Sequence, residues 1–346
     1  CRWLSATAVS SADAGLKASG LGGDAAGALS RLEAEYRALP VVVRNGGVVC
    51  RRGAQSREDV RWRKMKTNRS PYERAARAFD AVAEDYDAAY GPGGNLAMRW
   101  MRAQSLEILR ATFPPGSRLL EIGCGTGEEA VTLASEGDRE VLATDISPRM
   151  AAITLRKARR AGVGGRVRAV ALPAGGLAAL RPAVPFDGAY ASFGALNCEP
   201  ELSAVAAALA HLIRPEGALV CSVMGRTCLF EIVWYLLHGQ PCRAFRRLSR
   251  GWQRAPVAGV EGRESSVPTR YLGRREMVRA FAPAFRVERV LALPLLLPPP
   301  YADTLWRRHG PRVAPLADLD RLLRERRPLR TLGDHTVFVM RREDGG

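Results

Sequence analysis

Short apolar runs alternate with amphipathic stretches through the middle of this 346-residue chain. Runs at 118–122, 140–144, 167–171, 188–192 and 218–223 have the length and composition of strands. Segments at 128–135, 148–161 and 201–213 lie between them with helical spacing. Strand–helix repetition of this kind predicts an α/β fold, a mostly parallel sheet with helices on both faces. Upstream, a helix is expected over 71–89, with Phe79, Val82 and Tyr86 on one side, until Gly91-Pro92-Gly93-Gly94 breaks it. A second runs over 96–112 with Met98, Met101, Leu106, Ile108 and Leu109 as its apolar side, and Pro114-Pro115-Gly116 ends it. Downstream, a helix at 274–282 and strands at 286–293 and 335–341 alternate with two looser insertions, at about 226–270 and 295–333. Residues 1–64 lack sustained periodicity beyond a short helix at 30–39 and the run Val41–Val43. They read as a disordered or artefactual extension without a core of its own. Met65 reads as a natural start, 65–116 as N-terminal helices and 117–346 as the main domain.

The pattern converges on R-L-L-E-I-G-C-G-T-G, residues 118–127. A strand ends in Glu121 and Ile122 and breaks into Gly123, Gly125 and Gly127 just before a helix. This is how α/β proteins bring bare backbone against a nucleotide-like ligand. The spacing is G-x-G-x-G, whereas dinucleotide sites have G-x-G-x-x-G. An acid two residues before the first glycine repels a pyrophosphate and welcomes an ammonium. Asp145 ends the next strand in A-T-D-I-S, where a carboxylate accepts both hydroxyls of a ribose. Together these features favour a nucleoside that carries a cation.

Charge changes this picture little. The formal net charge is +17, but of 52 Lys and Arg residues only Lys17, Lys64, Lys66 and Lys157 are lysines, and Ala and Gly are abundant. That bias fits GC-rich coding as well as an anionic partner, so solvated faces are the simpler reading and nucleic acid is not expected. Seven scattered cysteines without C-x-x-C imply neither a disulfide framework nor a zinc site, and no metal is expected. No run approaches the ~20 apolar residues of a membrane span, and no secretion signal is visible. A cytoplasmic protein is expected.

The motifs in order resemble the class I S-adenosylmethionine (SAM) methyltransferases. E-I-G-C-G-T-G resembles the first motif and A-T-D-I-S-P-R-M the second. F-D-G-A-Y-A-S-F-G-A-L-N (186–197) resembles the fourth-strand motif, and L-I-R-P-E-G (212–217) the turn before the fifth strand. A-F-D-A-V-A-E-D-Y-D (78–87) resembles the first helix of the small-molecule branch, similar to quinone-biosynthesis methyltransferases. The resemblance implies a Rossmann-like, mostly parallel seven-stranded sheet with an antiparallel last strand, and SAM as cofactor. It implies that Gly123 and Gly125, with Cys124 and Gly127 of the same turn, approach the methionine moiety, and that Glu121 lies near its amino group. Asp145 would hold the ribose, Ile146 and Met150 flank the adenine, Tyr86 cover the cofactor, and Ser192 and Phe193 complete the site. One departure stands out. Where the family often has an Asp against the adenine amino group, this chain reads A-L-P-A-G-G, which leaves backbone near 171–174.

Methyl transfer from a sulfonium is an in-line displacement that depends first on alignment, and it needs a base only if the nucleophile must lose a proton. The fourth-strand segment lacks an N-P-P-Y-like sequence, which argues against DNA adenine and glutamine targets. His335, Asn197 and Tyr235 are the candidate catalytic residues; a structural hydrogen bond for His335 and loop capping for Asn197 are the alternatives. His211 lies off the apolar stripe of its helix and is expected in solvent, and His309 is given no role. Glu231, Tyr235 and His238 share one side of a helix whose other side carries Phe230, Val233, Trp234 and Leu237, and that polar side reads as wetted surface. The insertions either cover the site or merely pack on the sheet. As a lid, they imply an apolar or amphiphilic acceptor. Two other functions stay open: an RNA methyltransferase using the arginine-rich stretch 243–254, and a non-catalytic SAM-binding protein.

Overall fold

The seven runs read as strands at 118–122, 140–144, 167–171, 188–192, 218–223, 286–293 and 335–341 all fall in strands of one sheet, and the order of those strands decides where a ligand can bind. In the computed structural model, residues 41–44, 47–50, 71–249, 251–257 and 265–343 are described. The chain divides into two units, Cys1–Arg51 and Arg52–Gly346. In the first, β1 (Val41–Arg44) and β2 (Gly47–Cys50) pair as an antiparallel hairpin with Val41 opposite Cys50. The helix expected at 30–39 lies outside the described residues.

The second unit holds β3 (Arg118–Ile122), β4 (Glu140–Asp145), β5 (Val167–Ala171), β6 (Phe186–Ala191) and β7 (Ile213–Met224). A separate hairpin, β8 (Gln253–Val257) with β9 (Ser265–Thr269), precedes β10 (Phe285–Leu293) and β11 (His335–Arg342). The main sheet runs β10-β11-β7-β6-β3-β4-β5. Neighbours from β5 to β7 are parallel, and β11 is antiparallel to both β7 and β10. The fold is thus the Rossmann-like, mostly parallel seven-stranded sheet that the resemblance implies. Central strands are covered on both faces, which is why β3 and β4 are almost wholly buried and read as continuous apolar runs. Strand order reverses between β3 and β6, and a crevice at the carboxyl ends beside such a point is where open α/β sheets bind ligands.

The helices are α1 (Pro71–Val82), α2 (Tyr86–Tyr90), α3 (Leu96–Thr112), α4 (Glu128–Gly137), α5 (Pro148–Arg160) and α6 (Leu202–Leu212). After them come α7 (Leu229–Leu237), the short α8 (Pro241–Ala244), α9 (Arg274–Phe281) and α10 (Asp303–Leu323). The single helix expected over 71–89 is two. Glu84 and Asp85 place carboxylates at the C-terminal end of α1, where the helix dipole disfavours them, and the chain turns there. Two caps set the site-bearing helices. Asn95 accepts from the Met98 amide at 2.9 Å at the start of α3, and Ser147 from the Met150 amide at 3.1 Å at the start of α5, which also has Pro148 in its first turn.

The second insertion is fastened onto α3. Trp306, Val313 and Ala317 of α10 pack with Leu297 against Ala97. The Asp303 carboxylate accepts from the Leu96 amide at 2.7 Å, and Asn95 donates to the Pro300 carbonyl at 2.7 Å. The fully buried Asp320 receives the amides of Leu295, Leu296 and Leu297 at 2.8, 2.7 and 3.4 Å, which ties α10 to the chain leaving β10. Removing that acceptor strands buried N–H groups. Asp320→Ala is therefore expected to lower unfolding stability by roughly 2–3 kcal/mol. A urea midpoint equal to that of the wild type would show that the insertion does not depend on this carboxylate.

Candidate active site

The glycine turn is forced by what surrounds it. Gly123 and Cys124 donate their amides to the Thr144 carbonyl at 2.8 and 2.9 Å, so the chain leaving β3 bends across the end of β4. Gly123 has a φ of 72°, and a Cβ there would collide with the Ala195 methyl. Gly125, at a φ of 54°, points its missing side chain into open space whose nearest atom is a Tyr86 ring carbon at 3.9 Å. That open space belongs to a cavity of about 700 Å³ lined by Gly123, Gly125, Asp145, Ile146, Met150 and Phe193 among others. Tyr86 is held over the turn by its own helix: Asp87 accepts from Thr126 Oγ1 at 2.6 Å and pairs with Lys157 Nζ at 2.7 Å, and the same ammonium reaches Glu128 at 3.1 Å.

Two buried carboxylates stand at this end. Asp145 takes the Gly125 amide on Oδ2 and the Ser147 amide on Oδ1, both at 2.8 Å. Burial pushes its carboxyl up to about 6, although the two amides pull the other way. Glu121, level with Tyr190 across the β3–β6 ladder, lies just behind the cavity wall. Burial, then the nearby Glu129, raises its carboxyl well above the ordinary range. Its Oε2 has no hydrogen-bond partner among the described residues. An acid in the middle of a core strand breaks the apolar pattern, and such local violations collect at functional sites. Beside it, Arg102 of α3 pairs with Glu129 at 2.7 Å, donates to the Tyr90 carbonyl at 2.9 Å and lies 5.8 Å from the centre of the Phe193 ring. Cys124 is buried and its thiol is raised by that burial, so it stays protonated.

The opposite end of the cavity is made by the antiparallel last strand. Because β11 runs against β7, its first residue His335 pairs with Met224, the last of β7, at the same sheet edge as the glycine turn. Asp145 and His335 are four strands apart, roughly 19 Å at the usual strand spacing. His335 lines the cavity, is 6% exposed, and meets the Phe193 ring edge-on at 6.1 Å. Its Nδ1 lies 2.9 Å from Asp334 Oδ2, and Nε2 has no partner among the described residues. With Nδ1–H donating to that carboxylate, the neutral ring presents Nε2 as a proton acceptor. Burial works to raise the Asp334 carboxyl, but Arg247 and His335 outweigh it and hold it well below the usual range. Arg247 in turn bonds Asp334 Oδ1 and Glu231 Oε2, each at 2.5 Å.

Residues 119–217 match the family model described as a methyltransferase domain. Ubiquinone biosynthesis O-methyltransferase of Xylella fastidiosa (strain 9a5c) is 35% identical over 112 residues, 32% of this chain and 44% of that protein. Ribosomal protein L11 methyltransferase of Methylococcus capsulatus (strain ATCC 33009 / NCIMB 11132 / Bath) is 35% identical over 149 residues, 41% of this chain and 45% of that protein. The chain thus spans less than half the length of the curated relatives it matches. Among solved structures, the DhpI–SAH complex aligns with a TM-score of 0.48 at 17% identity, covering 79% of this chain and 98% of that one. Geranyl diphosphate C-methyltransferase from Streptomyces coelicolor A3(2) aligns at 0.47 and 13%, covering 80% and 99%.

The fold brings most of the sequence-predicted residues to one place. Tyr86, Gly123, Cys124, Gly125, Asp145, Ile146, Met150, Ser192 and Phe193 all line the cavity, as do Tyr235 and His335. Gly127 closes the turn behind it, against Thr154. Asn197 does not face the cavity. It is fully buried, donates to the Met224 and Arg270 carbonyls at 3.0 and 2.6 Å, and accepts from the Met224 amide at 2.8 Å, so its amide is committed to backbone. Leu172, Pro173 and Ala174 of the departing A-L-P-A-G-G stretch line the cavity. His211 is exposed. The wetted polar side expected for α7 is corrected at Glu231, which is 1% exposed because Arg246 and Arg247 both bind it; Tyr235 is half-buried and His238 is exposed as expected. Sequence reasoning missed Arg102, Glu129, Asp334 and Arg247. Only Asp334, directly before His335, carried a local signal.

The raised Asp145 carboxyl has a thermodynamic consequence. A folded-state value of about 6 lies above the unfolded ~3.9, so the folded protein holds this proton more tightly. The stability it contributes is present at low pH and is lost as pH rises through 6. The stability of the wild type minus that of Asp145→Asn is therefore expected to fall by about 1 kcal/mol between pH 5 and pH 8. Paired urea melts check this, and a difference that does not change with pH would overturn it.

Proposed function

We propose that the protein is a SAM-dependent methyltransferase that moves a methyl group to a small, apolar or amphiphilic acceptor by in-line displacement, with His335 as general base. The observation that carries the reading is one cavity lined at one end by the glycine turn and the buried Asp145, with Glu121 one residue before the lining Ile122, and at the other by a buried imidazole whose Nε2 has no partner among the described residues, His335. The first end suits SAM. Glu121 fits an ammonium group, Arg102 a carboxylate and Asp145 a pair of ribose hydroxyls, while Gly125 leaves room where any side chain would fill the cavity. Ile146 and Met150 flank the adenine, and Tyr86 covers the whole. SAM, when bound, supplies an electrophilic methyl on a sulfonium whose charge disappears in the transfer.

What remains for the protein is alignment and proton removal. Alignment of two reactants in one closed cavity supplies most of the available acceleration. At the far end, His335 Nε2 takes the proton of the nucleophile while the ionised Asp334 stabilises the resulting imidazolium. This division of labour supports an acceptor atom that starts protonated, a hydroxyl or an amine. Aromatic and apolar walls at Phe193, Met224, Tyr271 and Pro300 support an acceptor with an apolar body.

Calorimetry with S-adenosylhomocysteine is expected to show saturable binding that Asp145→Ala and Gly125→Val abolish. His335→Gln is expected to keep that affinity yet to slow label transfer from methyl-labelled SAM into fractionated cell extract by about 10²–10⁴-fold. No binding by the wild type would overturn the cofactor assignment, and equal labelling by His335→Gln would remove the base.

A further inference from the structure

The first insertion is built inside out. Helix α7 contributes Val233, Trp234, Leu236 and Leu237 to the exposed surface, Leu237 at 79%, while its one acid, Glu231, is buried. The coil that follows adds Phe245, Leu248 and Trp252. These seven residues are the majority of the eleven large exposed hydrophobics among the described residues, and all fall between 233 and 252. The surface is ordered: Trp234 lies between Phe230, 5.9 Å away and stacked, and His238 at 4.2 Å, while Trp252 sits 5.3 Å beneath the Arg270 guanidinium. From 232 to 260 the sequence has no Asp or Glu and five arginines; Arg243 and Arg254 are exposed, as is Arg246, which pairs with the buried Glu231.

We infer that this face docks on an anionic lipid bilayer. Exposed aliphatic and tryptophan side chains flanked by arginines, with no acid among them, match an interface where apolar groups enter the acyl boundary and cations meet lipid phosphates. A face selected for RNA needs the arginines but gains nothing from a Leu left in water. No helix among the described residues is long and apolar enough to cross a membrane, so the association is peripheral. The cavity opens beside the same face, since Tyr235, Arg246 and Gln253 are part of its wall. The inference extends the proposed function by naming the phase that delivers the acceptor: an amphiphile enters the cavity from the bilayer without crossing water.

The test reads binding and not turnover, so it stands or fails separately from methyl transfer. The full chain is mixed with vesicles of phosphatidylcholine alone or of equal parts phosphatidylcholine and phosphatidylglycerol, then sedimented at low and high salt. Binding is expected on the anionic vesicles, weaker on the neutral ones, and reduced but not abolished by salt. The double variant Leu236→Glu/Leu237→Glu is expected to lose at least about tenfold in partitioning, and Arg243→Glu less. Both variants are expected to bind S-adenosylhomocysteine as the wild type does, which checks their fold. Four results would overturn the inference. These are no binding to anionic vesicles, binding that the double leucine variant leaves intact, self-association through this face without vesicle binding, and RNA binding that Arg243→Glu alone abolishes without vesicle binding.

Discussion

A single buried guanidinium ties the insertion to the end of the sheet where β11 begins. Arg247, 4% exposed, binds Glu231 of α7 through Nε, the Asp334 carboxylate through Nη2 at 2.5 Å and the Asp334 carbonyl through Nη1 at 2.9 Å, while its plane lies 4.9 Å from the Tyr271 ring. Burying such a cation is tolerable only because its partners are ionised and well placed; removal of one would leave an uncompensated charge in low dielectric. Asp334 is thereby fixed beside His335, and α7 is fixed to the same end of the sheet. A guanidinium suits this place because its rigid planar fork aims its donors in fixed directions at Glu231 and at both the carboxylate and the carbonyl of Asp334.

The other end of the cavity carries the opposite imbalance. Glu121, Glu129 and Asp145 gather near the glycine turn, and Arg102 answers only part of that charge. The raised carboxyls of Glu121 and Asp145 measure what the free protein gives up there, since each is held in a buried place that favours its neutral form. Under the proposed function, a cationic ligand relieves this cost on binding. The topology makes the arrangement possible. Parallel strands end together where their order reverses, and the antiparallel β11 begins at that same edge, so residues from the first and last thirds of the main sheet's sequence meet.

How much of this was legible in the sequence follows from the range of each interaction. Parallel strands buried on both faces leave apolar runs, so β3 to β7 were readable and their helices with them. The turn at Gly123–Gly127 and the acid at Asp145 were readable because local backbone geometry and a fixed strand-end position dictate them. Arg102 and Arg247 were not, because in an arginine-rich chain nothing local distinguishes a paired buried guanidinium from a solvated one. The split of α1 from α2 was legible only in hindsight, in the carboxylates at 84–85. Asn197 illustrates a further limit: its residue type suits both substrate contact and loop bracing, and only the tertiary partners Met224 and Arg270 show the amide already spent.

Helix α7 shows the deepest limit and also its use. Periodicity separated an apolar side from a polar side, but it cannot say which side faces inward; in water, the apolar side should. Here the sides are reversed, because the buried cation at 247 demands Glu231 and the helix has no second face to give. The residues turned outward are then Val233, Trp234 and Leu237, which water penalises. A protein whose cap was free to choose would place polar residues there. Apolar positions flanked by arginines fit an outer medium that is itself apolar and anionic at its boundary. On this argument the reversed helix has two partners fixed by one geometry: an ion chain leading to His335 on its inner side, and a lipid surface on its outer side.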